Sequence, residues 1–240
     1  CGLFFKNFTL HNVPRIGDVL TFLEIIESLG VDVRFEDSTL KMNTENMSLA
    51  NLNRALIKKI RVGIFLFPAL LKRFGELEIP YPGGCNIGKR PITEHLRAFE
   101  IFGYNGENSE ENIRFSGKEG ENDVILSAGF AVTATENAIM MAAFQPRKTT
   151  IHLAAIEPHV MNLIDVLKNI GVKIAVSYDH TIIIEGISEI PENTEATVIS
   201  DYIESGTFVI LGALSGNPSI TVRNARIQDL TLFLEKCQEA

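Results

Sequence analysis

Apolar residues recur at helical spacing in some segments and alternate with polar residues in others, and the two patterns follow each other in a fixed order along the chain. Each helical segment ends in a glycine, at Gly30, Gly103 and Gly171, after which the alternating pattern of strands takes over. Because these glycines are 103 − 30 = 73 and 171 − 103 = 68 residues apart, the chain repeats with a period of about 70 residues. The helical apolar positions of the first and third copies are Val19, Phe22, Leu23, Ile26, Leu163, Val166, Leu167 and Ile170.

Each copy also carries a second, largely apolar helix ahead of the next copy, over residues 52–75, 133–144 and 201–214. Helices that are apolar over most of their surface are buried on most sides. The alternating hairpins between them are able to face water on one side. A proline is predicted to open the first kind of helix, at Pro14, Pro91 and Pro158, where its missing N–H costs nothing. The pattern predicts an α/β protein of repeated βαβαββ units, an inside-out barrel with buried helices surrounded by sheets.

The fourth copy starts at Ser219 and reaches only its first helix. The next helix-ending glycine is expected near position 241, whereas the chain ends at Ala240 and begins with Cys1 rather than methionine. We therefore expect a piece of a longer protein. Residues 1–200 would form one globe, and residues 201–240 would form the truncated start of a second globe.

Composition narrows the class of protein. The chain is 45% hydrophobic and 22% charged, which is typical of a globular protein, and its net charge of −8 argues against a nucleic-acid partner. Its longest apolar run, over residues 62–71, is too short for a bilayer, so no membrane partner is expected. Three cysteines form no disulfide framework and favour a reducing cytoplasm. The histidines show no metal-ligand spacing, so neither a metal nor another cofactor is expected.

The turn between the first strand and the first helix is short in copies one and three, but in copy two it expands to PYPGGCNIGKRP. A structural turn needs neither the thiol of Cys85 nor the added cations. A mobile loop with a passive cysteine is one interpretation, although passive cysteines usually lie among apolar residues. A phosphate-binding P-loop is another, because Gly83, Gly88 and Lys89 match its first seven positions. Arg90, however, replaces the Ser or Thr that binds Mg²⁺.

The third interpretation is a reactive thiol on a lid over an anion site. Lys89, Arg90 and the predicted helix start at Pro91 favour negative charge nearby and would lower the pKa of the Cys85 thiol. The glycines before the cysteine would let such a lid move.

The segments PGGCNIGKRP, RFGELEIPYPGG, VTATENAIMMAA, EPHVMNLIDVLKNIGVKI and DYIESGTF resemble the enolpyruvyl transferases, within them the branch that acts on UDP-N-acetylglucosamine. The resemblance runs along essentially the whole chain. It implies two inside-out α/β globes of three repeats each. It also implies transfer of enolpyruvate from phosphoenolpyruvate to the sugar 3-hydroxyl with release of phosphate, the first committed step of peptidoglycan synthesis.

The same resemblance implies roles for individual residues. Cys85 would be the general acid at the enolpyruvyl methylene and the residue that fosfomycin alkylates. Arg90 would hold phosphate, Arg61 would contact the nucleotide sugar and Val132 would supply a backbone contact near the diphosphate. A solvated or structural arginine is the alternative interpretation of Arg61, and a core or helix-capping histidine is that of His95. The implied substrate-binding residues are Arg61, Arg90, Pro91, Ile92, Thr93, Glu94 and Val132, with Lys89 and His95 as secondary candidates.

The chain departs from the family pattern at several positions. The family usually has Ser at Ala131, Asp at Thr93, and Arg at Ile156 and Tyr202. These departures concern recognition of the nucleotide sugar rather than the cysteine chemistry. A non-catalytic half-protein that binds a nucleotide sugar, or serves as an interaction module, therefore remains the alternative to an enolpyruvyl transferase.

Overall fold

The structure, a computed structural model, describes residues 1–83, 92–109, 111–215 and 220–239. The chain divides into two compact units, residues 1–197 and residues 198–240. That the second unit starts a second globe stays a prediction. Among the described residues, no helix has both the length and the apolar character needed to cross a bilayer.

In chain order, the strands of the first unit are β1 (Asn7–His11), β2 (Asp32–Glu36), β3 (Thr39–Asn43), β4 (Glu76–Pro80), β5 (Tyr104–Asn108), β6 (Asn112–Gly117), β7 (Val124–Ser127), β8 (Lys148–His152), β9 (Lys173–Val176), β10 (Ile182–Glu185) and β11 (Asn193–Thr197). Its helices are α1 (Gly17–Ser28), α2 (Arg54–Ile57), α3 (Leu66–Phe74), α4 (Thr93–Ile101), α5 (Val132–Ala143) and α6 (Pro158–Asn169). The run β7-α5-β8-α6-β9-β10 is a complete βαβαββ unit, as predicted.

In the described residues the strands form three sheets, ordered β11-β1-β3-β2, β4-β6-β5 and β7-β8-β10-β9. Within each sheet the hairpin strands pair antiparallel, whereas β7 pairs parallel with β8, and β11 pairs parallel with β1. The strand that comes after one hairpin therefore completes the sheet of another copy of the repeat. The pairing of β11 with β1 joins the third copy of the repeat to the first copy.

Helices α3 and α5 lie in the interior. Residues 66–71 of α3 are all buried, and α5 packs against α3, α4, α6 and strands β8 and β10. Small side chains on α5 let its neighbours approach closely, because alanine adds little bulk to the helix surface. This confirms the inside-out α/β architecture. The buried residues of α5 are Ala134, Thr135, Asn137, Ala138, Ile139, Met140, Met141, Ala142 and Ala143.

The helix ends agree with the predictions only in part. Gly30, Gly103 and Gly171 have φ values of 84°, 107° and 99°, the left-handed region that glycine adopts at a helix C-terminus. Pro158 is the first residue of α6, as expected. Pro14 does not open α1, which begins three residues later at Gly17.

The single helix predicted for residues 52–75 is wrong, because the segment contains α2, a 3-10 turn (Arg61–Phe65) and α3. The Asn53 side chain caps α2 by accepting from the Leu56 N–H, and Ile60 is extended. Gly63, inside the 3-10 turn, packs so closely on Ile57 that a Cβ would lie 2.8 Å from its side chain. Pro68 falls in the first turn of α3, where it breaks no hydrogen bond.

The second unit contains α7 (Tyr202–Leu214), a 3-10 turn (Ile227–Asp229) and α8 (Thr231–Glu239). The prediction that α7 is buried on most sides is wrong: among its residues only Ser205 and Gly206 are buried, and Leu214 is 81% exposed. Within the described part of this unit, Gly206 faces Leu230 and Phe233. The strand expected from Ser219 is also absent from described residues 220–226, because a strand requires a hydrogen-bonded neighbour.

Arg147 should be a stability determinant of the first unit. Its guanidinium donates to the carbonyls of Gly120, Asn122 and Phe102 at 2.7, 2.9 and 3.2 Å. Replacing it with methionine (Arg147→Met) leaves these carbonyls without their charged donor, so we expect the free energy of unfolding to fall by about 2 kcal/mol in urea titrations.

Arg114→Met is the matched control, because among the described residues Arg114 makes an exposed 3.5 Å ion pair with Glu76. Its loss should cost under about 0.5 kcal/mol. Equal losses for the two variants would contradict the role assigned to Arg147.

Candidate active site

Two helices and the 3-10 turn begin close together around one buried histidine. His95, in the first turn of α4, is 3% exposed, and its Nε2 lies 3.0 Å from Thr133 Oγ1 in the first turn of α5. Its Nδ1 lies 2.9 Å from Asn137 Nδ2, which also donates to the Ile64 carbonyl at 3.2 Å. Because Ile64 belongs to the 3-10 turn that starts at Arg61, the network ties α4, α5 and this turn together.

His95 is neutral at pH 7. Burial lowers the pKa of its imidazole to about 4, and the positive charge of Arg61 acts in the same direction. This places the Arg61 guanidinium near the network, at the first residue of its 3-10 turn and half-buried. Whether Arg61 contacts a nucleotide sugar or has a structural role stays a prediction.

The starts of α4 and α5 suit an anionic ligand. Neither N-cap residue, Ile92 or Ala131, provides a side-chain cap, so within the described residues the first N–H groups of both helices lack an N-cap acceptor. Helix N-termini also carry partial positive charge. The uncapped ends and Arg61 together make this the region where phosphate groups would be stabilised.

The turn that leads into α5 is held rigidly. Ala128 N–H donates to the His152 carbonyl, and Phe130 N–H donates to the Leu153 carbonyl at 2.7 Å. Gly129 has φ of 58° and lies beside α4, since a Cβ there would be 3.7 Å from Glu94 Cγ. The start of α5, with Val132 as its first residue, is therefore fixed next to Glu94.

The predicted cysteine loop begins where β4 ends. Gly83, its last described residue on this side, packs on the end of α2, and a Cβ would collide with the Lys58 carbonyl. This close approach, rather than mobility alone, explains a glycine at position 83. The predicted residues Cys85, Lys89, Arg90 and Pro91 lie outside the described residues.

The described site candidates gather at one end of α4 and α5. Ile92 is buried, Thr93 is exposed and Glu94 is half-buried, at successive positions where α4 starts. Their contacts with a substrate remain predictions, as does that of Val132. Sequence reasoning missed Thr133; its position just inside a predicted helix start was the only available signal.

Glu136 lies on the same helix but outside this network. Burial raises the pKa of its carboxyl group to about 7, and the nearby Glu157 carboxylate adds to the effect. Within the described residues, no group of three or more His, Cys, Asp or Glu side chains is arranged to hold a metal ion.

Known proteins are similar to this chain in sequence and in fold. The model of the family described as EPSP synthase (3-phosphoshikimate 1-carboxyvinyltransferase) matches residues 3–240, so the chain belongs to this family. Proteins named UDP-N-acetylglucosamine 1-carboxyvinyltransferase are similar to it. Those of Lactobacillus johnsonii and Campylobacter jejuni are 35% and 34% identical over 96% of the chain. The chain spans about half of these relatives, 55% of each.

Solved structures agree on the fold. The enolpyruvyl transferase NikO from Streptomyces tendae superposes with a TM-score of 0.79 over 99% of the chain and 57% of its own, at 18% identity. An EPSP synthase from Acinetobacter baumannii gives a TM-score of 0.65 over 88% of the chain and 49% of its own, at 14% identity. At these identities the likeness establishes the enolpyruvyl transferase fold alone.

The buried histidine should make stability depend on pH. The folded state disfavours protonation of His95, whose pKa falls from 6.5 to about 4. The unfolded chain therefore takes up this proton first as the pH falls. The contribution is fully present above about pH 6.5, and by pH 4 about 3 kcal/mol is lost. Urea unfolding at pH 7, 5.5 and 4 measures it.

His95→Gln is the control, because glutamine keeps a donor toward Thr133 and does not titrate. Glu136 acts with the opposite sign, since its raised pKa favours the folded state as the pH falls from about 7. The difference between wild type and variant isolates His95. Parallel stability curves for the two proteins would show that His95 does not titrate as described.

Proposed function

We propose that this chain is the loop-bearing part of an enolpyruvyl transferase. The whole protein would transfer enolpyruvate from phosphoenolpyruvate to the 3-hydroxyl of UDP-N-acetylglucosamine, releasing phosphate in peptidoglycan synthesis. One observation carries the proposal: the segment PGGCNIGKRP stands in the sequence between β4 and α4, and the start of α4 lies beside the start of α5. The relatives that carry the name of this activity support the same acceptor.

In the proposed mechanism the Cys85 thiol donates its proton to the methylene carbon of phosphoenolpyruvate. The neighbouring carbon becomes electron-poor and bonds to the 3-hydroxyl oxygen of the sugar, whose proton passes to a base. The new methyl group then returns a proton to the Cys85 thiolate, and phosphate leaves with the electron pair of its C–O bond. A positioned acid of this kind accelerates a reaction by about 10²–10⁴-fold, and excluding water protects the intermediate.

The remaining candidates would bind rather than react. Arg90 and Lys89 would neutralise phosphate, and Arg61 would reach the nucleotide sugar from its 3-10 turn. The start of α5 at Val132 would offer backbone N–H groups to the diphosphate. A local positive cluster of this kind would attract anionic substrates to a chain whose net charge is −8. The sparse cysteines favour a reducing compartment, so we place the reaction in the cytoplasm.

The direct test uses the whole protein that contains this chain. Purified protein should release phosphate from phosphoenolpyruvate only when UDP-N-acetylglucosamine is present. Shikimate 3-phosphate is the matched alternative acceptor, because the family takes its name from that activity. Phosphate release with shikimate 3-phosphate instead would overturn the acceptor assignment, and binding of UDP-N-acetylglucosamine without turnover would favour the non-catalytic alternative.

Cys85 has its own test. Cys85→Ser should lower the rate of phosphate release at least about 100-fold, because serine is a much weaker acid. Incubation with fosfomycin should add one covalent adduct to wild type and none to Cys85→Ser, as read by intact-protein mass spectrometry.

The matched control is Cys237→Ser, which removes a free, half-buried cysteine in α8. It should retain both the rate and the adduct. An adduct that disappears from Cys237→Ser but persists in Cys85→Ser would refute the role given to Cys85.

A further inference from the structure

The buried hydrogen bonds around His95 have a defined direction. The Ile64 carbonyl is only an acceptor, so the atom of Asn137 that faces it at 3.2 Å must be the amide nitrogen. The same nitrogen lies 2.9 Å from His95 Nδ1, which must therefore accept. Because a neutral imidazole carries one proton, that proton is on Nε2 and is donated to Thr133 Oγ1 at 3.0 Å.

This direction determines what the Thr133 hydroxyl is able to do. Its oxygen already accepts from His95, and its own proton remains available. Within the described ranges, the Thr133 hydroxyl donates to no protein group. Thr133 is the second residue of α5 and half-buried, whereas His95 and Asn137 are buried. The buried pair His95 and Asn137 therefore sets the direction of a hydrogen bond whose outer partner, Thr133, lies at the start of α5.

We propose that Asn137 is a positioning residue that holds His95 in its Nε2–H tautomer, so that the Thr133 hydroxyl donates to a phosphate oxygen of the nucleotide sugar. The inference rests on the proposed function for the identity of that ligand. The phosphate would also meet the uncapped N–H groups of α5 and the charge of Arg61. Thr133 would thus add a side-chain donor at a turn where Ala131 has none.

A purely structural role is the competing explanation, because the network also ties α4, α5 and the 3-10 turn together. The two explanations predict different effects on ligand binding when the direction of the hydrogen bonds is reversed. Asn137→Asp has nearly the same shape, but its carboxylate can only accept. It would draw the proton to Nδ1 and make Nε2 an acceptor, so that the Thr133 proton turns inward.

The experiment measures the tautomer and the ligand affinity separately, in the whole protein. Nitrogen-15 NMR of the histidine side chains should show His95 protonated on Nε2 in wild type and on Nδ1 in Asn137→Asp. Calorimetric titration with UDP-N-acetylglucosamine should give a dissociation constant about tenfold higher for Asn137→Asp, since one charge-assisted hydrogen bond is lost. The KM for phosphoenolpyruvate should change by less than about twofold.

Two further variants keep the test independent of how well Asn137→Asp folds. Thr133→Val removes the hydroxyl without changing the shape and should weaken UDP-N-acetylglucosamine binding by a similar factor. Thr133→Ser restores the hydroxyl and should bind within about threefold of wild type. Urea unfolding of each variant shows whether it is folded under the binding conditions.

The outcomes separate this inference from the proposed function. Wild type that binds UDP-N-acetylglucosamine without releasing phosphate would refute the transferase reaction, while the variants still test the hydrogen-bond donor. Unchanged affinity in Thr133→Val, or a reversed tautomer with unchanged affinity in Asn137→Asp, would overturn the inference. So would a wild-type His95 protonated on Nδ1, or a wild type without affinity for UDP-N-acetylglucosamine.

Discussion

The buried amide of Asn137 is the constraint on which the candidate site depends. It lies on α5, is 0% exposed, and bonds two partners that are 73 and 42 residues away in the sequence. Loss of these partners would leave a buried amide unsatisfied and would cost free energy. The hydrogen bonds therefore fix the positions of α5, α4 and the 3-10 turn relative to one another. The oxygen of this amide is buried without a described partner, a cost that the packing of α5 must offset.

Much of the fold could be predicted because it depends on local chemistry that repeats. The glycines at 30, 103 and 171 occupy left-handed positions that other residues adopt only with strain. The predictions failed where tertiary contacts determine the extent of a helix or its burial. The apolar pattern of residues 52–75 gave no sign of the 3-10 turn that separates α2 from α3, in which Gly63 packs on Ile57. The apolar pattern of α7 did not reveal how few partners it meets among the described residues.

The cysteine loop of the candidate site was proposed from chemistry that stands out in the sequence, and its role stays a prediction. A thiol beside Lys89 and Arg90 in an expanded turn differs from the short turns of the other copies, so the contrast was visible without coordinates. The role of Thr133 was not visible, because it depends on His95 and Asn137, which come from different helices. The position of the His95 ring proton sets the direction of the hydrogen bond to Thr133. That position depends on buried contacts, which a pattern of single residues does not reveal.

The parallel pairing of β1 with β11 has a consequence for how the protein is made. Asn7 and Asn193 meet across this pair although 186 residues separate them. During synthesis β1 emerges from the ribosome before β11, and one of its edges stays open until the residues up to Thr197 have been added. Open strand edges pair readily with other chains, and contacts this distant in sequence form slowly. Of the three described sheets, the one that contains β1 is therefore completed last. This delay makes it the sheet of the nascent chain that most needs protection from aggregation.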